Sequence, residues 1–172
     1  QLIADLSYSL KDSSSVHHDV FVTAESLTAG AIGAAIVDIP GSSAWFDRGF
    51  ITYSNEAKIE LLKVDRAAIA EQGAVSSIVV EQMVKGALDA SHATIGVAVS
   101  GVAGPDGGSK LKPVGTVWIG CMKKNEAPVS KLFHFSGDRE TVRLKTTAAA
   151  LIYLSSKCRG VDADFSKIPE PS

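Results

Sequence analysis

Thr94-Ile95-Gly96-Val97-Ala98-Val99 runs directly into Ser100-Gly101-Val102-Ala103-Gly104-Pro105-Asp106-Gly107-Gly108. The first six residues are apolar or small, with β-branched side chains, and read as a buried strand. Four glycines and one proline then fall within the eight residues from Gly101 to Gly108. Glycine has no side chain to hold a ligand off the backbone, and successive N–H groups facing one concavity bind anions. A strand ending in such a loop is a frequent place for a site. A tight connection with no ligand has the same composition. The spacing matches neither a Walker loop nor a dinucleotide fingerprint.

Downstream, Val114 to Cys121 and Val129 to Phe135 read as two strands. Their short polar connection, Lys123 to Pro128, predicts an antiparallel hairpin. Gly137-Asp138 precedes a long helix from about Arg139 to Lys157. Upstream, Ser76 or Ser77 caps a helix with Val79, Val80, Met83, Val84, Ala87 and Leu88 on one side. A short helix is expected near Arg66 to Glu71, and another begins near Ser54 or Asn55, with Glu56 in its first turn. Phe50 to Tyr53 and Val20 to Ala24 read as strands. A helix of small residues is expected over Ala29 to Val37, and Leu2, Ile3, Leu6 and Leu10 predict an opening helix. Alternating strands and helices predict an α/β domain whose mixed sheet is mostly parallel. Residues 1–157 are expected to form one domain and residues 158–172 a loose tail.

The chain has 172 residues, enough for one domain with a substantial core. Its 45% hydrophobic and 21% charged residues are an ordinary globular balance. With a formal net charge of −2 and no run of Lys or Arg, no nucleic-acid surface is expected. Nor is a membrane span or a secretory signal expected. Cys121 and Cys158 make neither a disulfide framework nor a metal site, and free thiols fit a reducing, cytoplasmic compartment. His17, His18, His92 and His134 have no metal-like spacing, so no metal and no cofactor is expected.

Ser26 stands where a strand hands over to a helix. A nucleophilic serine there would have the N–H groups of Leu27, Thr28 and Ala29 beside a developing oxyanion. An ordinary N-cap serine occupies the same place. A serine nucleophile needs a base, and Lys58 is a candidate, because a desolvated lysine can take a proton. A solvated surface charge is the alternative. Tyr53 could relay a proton or hold the lysine, or simply end a strand. Arg139 and Arg143 lie four apart on one helix and could hold a phosphate, pair with Asp138 or Glu140, or face solvent. Thr28, Ser42, Ser43, Ser100, Gly101, Gly107 and Gly108 complete the candidate substrate-binding set.

Several motifs in fixed order carry a family resemblance. They are Ala24-Glu25-Ser26-Leu27-Thr28-Ala29-Gly30, Asp38 to Phe46, Arg48 to Lys58, Gly73-Ala74-Val75-Ser76, Ser100 to Gly108, Lys112 to Val117 and Gly137-Asp138-Arg139. Over residues 1–157 the chain resembles the C-terminal domain of the CinA (competence/damage-inducible) family. The resemblance implies a three-layer α/β/α sandwich, often a homodimer. It also implies hydrolysis of nicotinamide mononucleotide (NMN) to nicotinate mononucleotide and ammonia without a metal. On it Ser26 becomes the nucleophile, Lys58 its base and Tyr53 an assisting group. The glycine loop and Arg139 become holders of phosphate or ribose. Two residues depart from the usual Ala-Glu-Ser-Cys-Thr-Gly-Gly: Leu27 replaces the cysteine and Ala29 a glycine. Leu27 leaves open a rival class, a non-catalytic nucleotide-binding or protein-interaction module.

Overall fold

A computed structural model describes residues 1–170. The elements run in the order α1 (Leu2–His17), β1 (Phe21–Glu25), α2 (Ala31–Val37), β2 (Phe46–Ile51), α3 (Asn55–Leu62) and α4 (Arg66–Gln72). They continue with α5 (Ser77–Asp89), β3 (Ile95–Gly101), β4 (Thr116–Lys123), β5 (Val129–His134) and α6 (Arg139–Arg159). Helix starts follow cap chemistry. Ser54, Asp65, Ser76 and Asp138 each accept an N–H of the following turn.

Among the described residues the strands form one sheet in the order β2-β1-β3-β4-β5. β1 pairs in parallel with β2 and β3, while β3–β4 and β4–β5 are antiparallel. β4 therefore runs against the other four strands, and the sheet is mixed with one prevailing direction. The period-two pleat sorts side chains onto two faces. Phe21, Ile95, Val97, Val99, Val117 and Ile119 meet α1, α2 and α6. Val22, Ala24 and Ala98 meet α3, α4 and α5. The result is the three-layer sandwich expected. Gly86 shows how tightly the second outer layer packs: a Cβ there would lie 1.9 Å from the Leu62 carbonyl oxygen.

Several boundaries differ from the sequence reading. β2 runs over Phe46–Ile51 rather than Phe50 to Tyr53, because it pairs along the whole of β1, from Phe21↔Phe46 to Glu25↔Ile51. α2 begins at Ala31, two residues beyond the expected Ala29, because the chain turns at Ala29 (φ +47°) and Gly30 (φ +99°) first. α6 continues to Arg159 and ends on Gly160 in the left-handed region. Beyond it, Ile168 is buried and the Phe165 ring stands edge-on to Phe133 and Tyr153. Residues 171–172 of the expected loose tail lie outside the described residues.

β1 leads through α2 to β2 on one side, and β3 lies on its other side. The connections out of β1 and β3 thus diverge, leaving a crevice beyond their carboxyl ends, where ligands of open α/β sheets bind.

Candidate active site

Ser26 follows the last residue of β1. It stands in a turn: the Ala29 N–H donates to the Ser26 carbonyl at 3.1 Å and the Ala31 N–H to the Thr28 carbonyl at 3.0 Å. Glu25 organises that turn from the α2 side. One of its carboxylate oxygens accepts from the Thr28 hydroxyl at 2.7 Å, the Ile32 N–H at 3.0 Å and the Gly30 N–H at 3.1 Å. The other accepts from the Gly33 N–H at 3.0 Å and the Thr23 hydroxyl at 3.1 Å. These donors make burial of a carboxylate only 1% exposed tolerable, and three of them are N–H groups at the start of α2. Alternation along β1 puts Glu25 on the face of Phe21 and Thr23, and Ser26 on the opposite face with Val22 and Ala24.

On that opposite face lies Lys58, on α3, with its side chain 1% exposed. Its Nζ donates to the Thr52 carbonyl at 2.8 Å, the Tyr53 carbonyl at 3.1 Å and Ser26 Oγ at 3.0 Å. Burial pulls its pKa from 10.5 down to about 8. A neutral amine keeps two hydrogens, and two carbonyls stand ready for them. Its lone pair is then left for the Ser26 hydroxyl. The pair thus has the arrangement that a serine nucleophile and a lysine base would need, a hydroxyl in contact with an amine whose pKa burial lowers to about 8. The alternative of a solvated lysine is excluded by its burial. The reading of Ser26 as N-cap is corrected too: the cap residue of α2 is Gly30, and the capping oxygens are those of Glu25.

Ser26 and Lys58 open onto a cavity of about 330 Å³, within the range of small-molecule sites. Ser100, Gly101, Gly104, Asp106, Gly107 and Arg139 line it, with Leu27, Tyr53, Asn55, Ala74 and Val75. The Ser100 side chain shares a face with Ser26, because Val99 pairs with Glu25 and each serine is the next residue. Tyr53 is 62% exposed, and its carbonyl rather than its phenol holds Lys58. Arg139 donates to the Gly104 carbonyl at 2.8 Å, tying the glycine loop to α6. Leu27 is buried in the core and borders the cavity with the little surface it keeps.

Other expected site residues are not brought there. The Thr28 hydroxyl is committed to Glu25, and Gly108 stands outside the lining. Ser42 and Ser43 lie in a short turn before β2, whose first residue pairs with Phe21, so they sit at the opposite end of the sheet. Arg143 is half-buried and turns its guanidinium to the backbone after Ser26. It donates through Nε to the Leu27 carbonyl at 2.8 Å and through Nη2 to the Thr28 carbonyl at 3.3 Å. Sequence reasoning gave Glu25 no role and offered Arg143 only as a phosphate ligand, an ion-pair partner or a solvated charge. Glu25, an acid beside the serine and just ahead of a helix of small residues, left a trace in the sequence; the backbone partners of Arg143 left none.

A larger hollow of about 760 Å³ lies by the C-terminal end of α6, bordered by Lys123, Lys131, Lys157 and Arg159. Its one cysteine, Cys158, donates to Asp19 at 3.2 Å, and burial pushes its thiol up to about 12. It offers no activated nucleophile, so chemistry rather than volume selects the smaller cavity. Among the described residues no three His, Cys, Asp or Glu side chains gather as a metal-holding group, and no helix is long and apolar enough to cross a membrane.

The model of the CinA C-terminal domain matches residues 4–158. The chain belongs to the CinA C-terminal domain family. It is 56% identical over 128 residues to the nicotinamide-nucleotide amidohydrolase PncC of Enterobacter agglomerans, covering 74% of this chain and 78% of that protein. The PncC of Escherichia coli K12 is 52% identical over 129 residues, with 75% and 78% covered. Among solved structures, a CinA superfamily protein of Klebsiella pneumoniae 700603 superposes with a TM-score of 0.88 at 32% identity, covering 93% of this chain and 99% of that one. A competence/damage-inducible protein of Agrobacterium tumefaciens gives 0.84 at 39%, with 88% and 92% covered. The CinA fold therefore extends over nearly all described elements.

Proposed function

We propose that this CinA-family protein hydrolyses the carboxamide of nicotinamide mononucleotide, giving nicotinate mononucleotide and ammonia. The observation that carries the mechanism is the 3.0 Å contact between buried Lys58 Nζ and Ser26 Oγ. The substrate comes from the amidohydrolase relatives at 52–56% identity.

The neutral Lys58 amine takes the Ser26 proton as Oγ bonds to the carboxamide carbon. The resulting oxyanion is met by backbone N–H groups of the turn after Ser26. Of the three expected, Ala29's already donates to the Ser26 carbonyl, while those of Leu27 and Thr28 have no intramolecular acceptor among the described residues. As the tetrahedral adduct collapses, the C–N bond breaks. Lys58 passes its proton to the departing nitrogen, which leaves as ammonia. Water, activated by the same lysine, cleaves the acyl ester and restores Ser26. Tyr53 supports the base through its carbonyl. Arg139 and the loop N–H groups at Gly101 and Gly107 border the space for ribose and phosphate, with Ser100 beside the reacting carbon.

This reading includes a cytoplasmic setting, supported by two buried free thiols. It also includes a homodimer, supported by edge strand β2, which leaves Ile51 exposed beside Tyr53. Incubation of the purified protein with NMN should release ammonia and nicotinate mononucleotide in equal amounts. NMN bound without release would replace the enzyme reading with that of a nucleotide-binding module.

A further inference from the structure

Arg143 is a partly buried cation that makes no salt bridge among the described residues. Both of its hydrogen bonds go to backbone carbonyls, those of Leu27 and Thr28. These belong to the two peptide groups that follow the Ser26–Leu27 bond. In a trans peptide the C=O and N–H point in opposite directions. A guanidinium that draws the Leu27 carbonyl toward α6 therefore turns the Thr28 N–H away from α6. Arg143 also holds the Thr28 carbonyl, and the N–H of that same peptide, Ala29's, points back to the Ser26 carbonyl. One of the two clamped peptides thus already shows the direction in which the clamp aims an N–H.

The Thr28 N–H has no intramolecular acceptor among the described residues. α6 packs on one face of the sheet, and Ser26 Oγ and Lys58 lie on the other. Turned from α6, this N–H faces the side where the oxyanion forms. We propose that Arg143 is a positioning residue for the amidase reaction, aiming the Thr28 N–H as an oxyanion donor. It never touches substrate. Its planar fork suits two carbonyls at once, which a lysine cannot match. Its positive charge at the carbonyl end also polarises the peptide toward a stronger donor.

The inference rests on the Ser26 amidase reading, so its test uses two reactions. One is NMN turnover. The other is acylation of Ser26 by 4-nitrophenyl acetate, which needs the oxyanion donor but no NMN recognition. In R143A, kcat for NMN should fall roughly 10- to 100-fold with KM within about twofold, since the removal of one oxyanion donor costs about 100-fold or more. Acylation should slow in parallel. R143K should lie between R143A and the parent, and added guanidinium chloride at low millimolar concentration should restore part of the R143A rate. A purely structural arginine would lower thermal stability without this split between kcat and KM or the rescue. R143K carries the same test should R143A fail to fold. Variants with parental kcat, or with loss confined to KM, would overturn the role of Arg143. A parent that acylates but leaves NMN intact would instead overturn the substrate reading, and the acylation arm would still decide the role of Arg143.

Discussion

Replacing Lys58 with methionine removes a buried cation while nearly keeping its volume. The parent lysine titrates at about 8 when folded and at 10.5 in its ordinary state. Below pH 8 both states carry the proton, and the folded state bears the full cost of burying it. Between pH 8 and 10.5 the unfolded chain binds more protons than the folded one, so stability rises with pH through that window. Each unit of difference is worth about 1.36 kcal/mol, so the gap from 10.5 to about 8 amounts to about 3 kcal/mol in all. Roughly 2.5 kcal/mol of it is recovered between pH 6 and 10, from the linkage relation. The absolute stability of K58M also reflects the Thr52 and Tyr53 carbonyls it leaves without a donor. The pH dependence does not share that ambiguity. Cys121 and Cys158, both held up to about 12, lower stability above pH 9 equally in parent and variant and cancel in the difference. Urea unfolding followed by tryptophan fluorescence at unit steps of pH measures it. The parent should gain about 2.5 kcal/mol on K58M across the range. A difference that stays flat would show that Lys58 is not desolvated, and the case for it as a base would fall with it.

The same titration governs turnover. Because the neutral amine is the active form, kcat/KM should rise with pH and level off above about 8, losing about tenfold for each unit below that. A rate independent of pH between 6 and 9 would contradict a lysine base. A29G should stabilise the fold by about 0.5–1 kcal/mol. Relief of the left-handed backbone, about 1–2 kcal/mol, outweighs the added entropy of glycine, about 0.5–1 kcal/mol. In thermal unfolding this is a rise of roughly 1–3 °C for a chain of this size. A fall of similar size would place Ala29 in the helix after all.

Much of the fold was legible because its signals are local. The apolar run from Ile95 to Val99, the hairpin around Lys123 to Pro128 and the caps at Ser54, Ser76 and Asp138 each follow from a few adjacent residues. The start of α2 was not legible. Small residues from Ala29 onward satisfy helical propensity, and only the carboxylate of Glu25, collecting N–H groups up to eight residues away, delays the helix. The glycine usual in the CinA family at the position of Ala29 was the one hint of a left-handed turn, and the structure supplies its reason. The site divides in the same way. Ser26 and Lys58 stood out as residues, but their contact across 32 positions depends on strand order. Ser42 and Ser43 carried suitable hydroxyls, yet the parallel register places them at the far end of β2. Arg143 matched the pattern of a phosphate ligand four residues from Arg139. Its actual partners are backbone carbonyls, which no side-chain pattern reveals.

In the proposed reaction Ser26, activated by Lys58, attacks the NMN carboxamide. Ammonia release from NMN by the parent and by Ser26→Ala, measured side by side at pH 8.5 with NMN binding recorded for both, tests it most directly. Release by the parent that is lost in the variant, with binding kept, is the predicted result. Equal release from both proteins would contradict it.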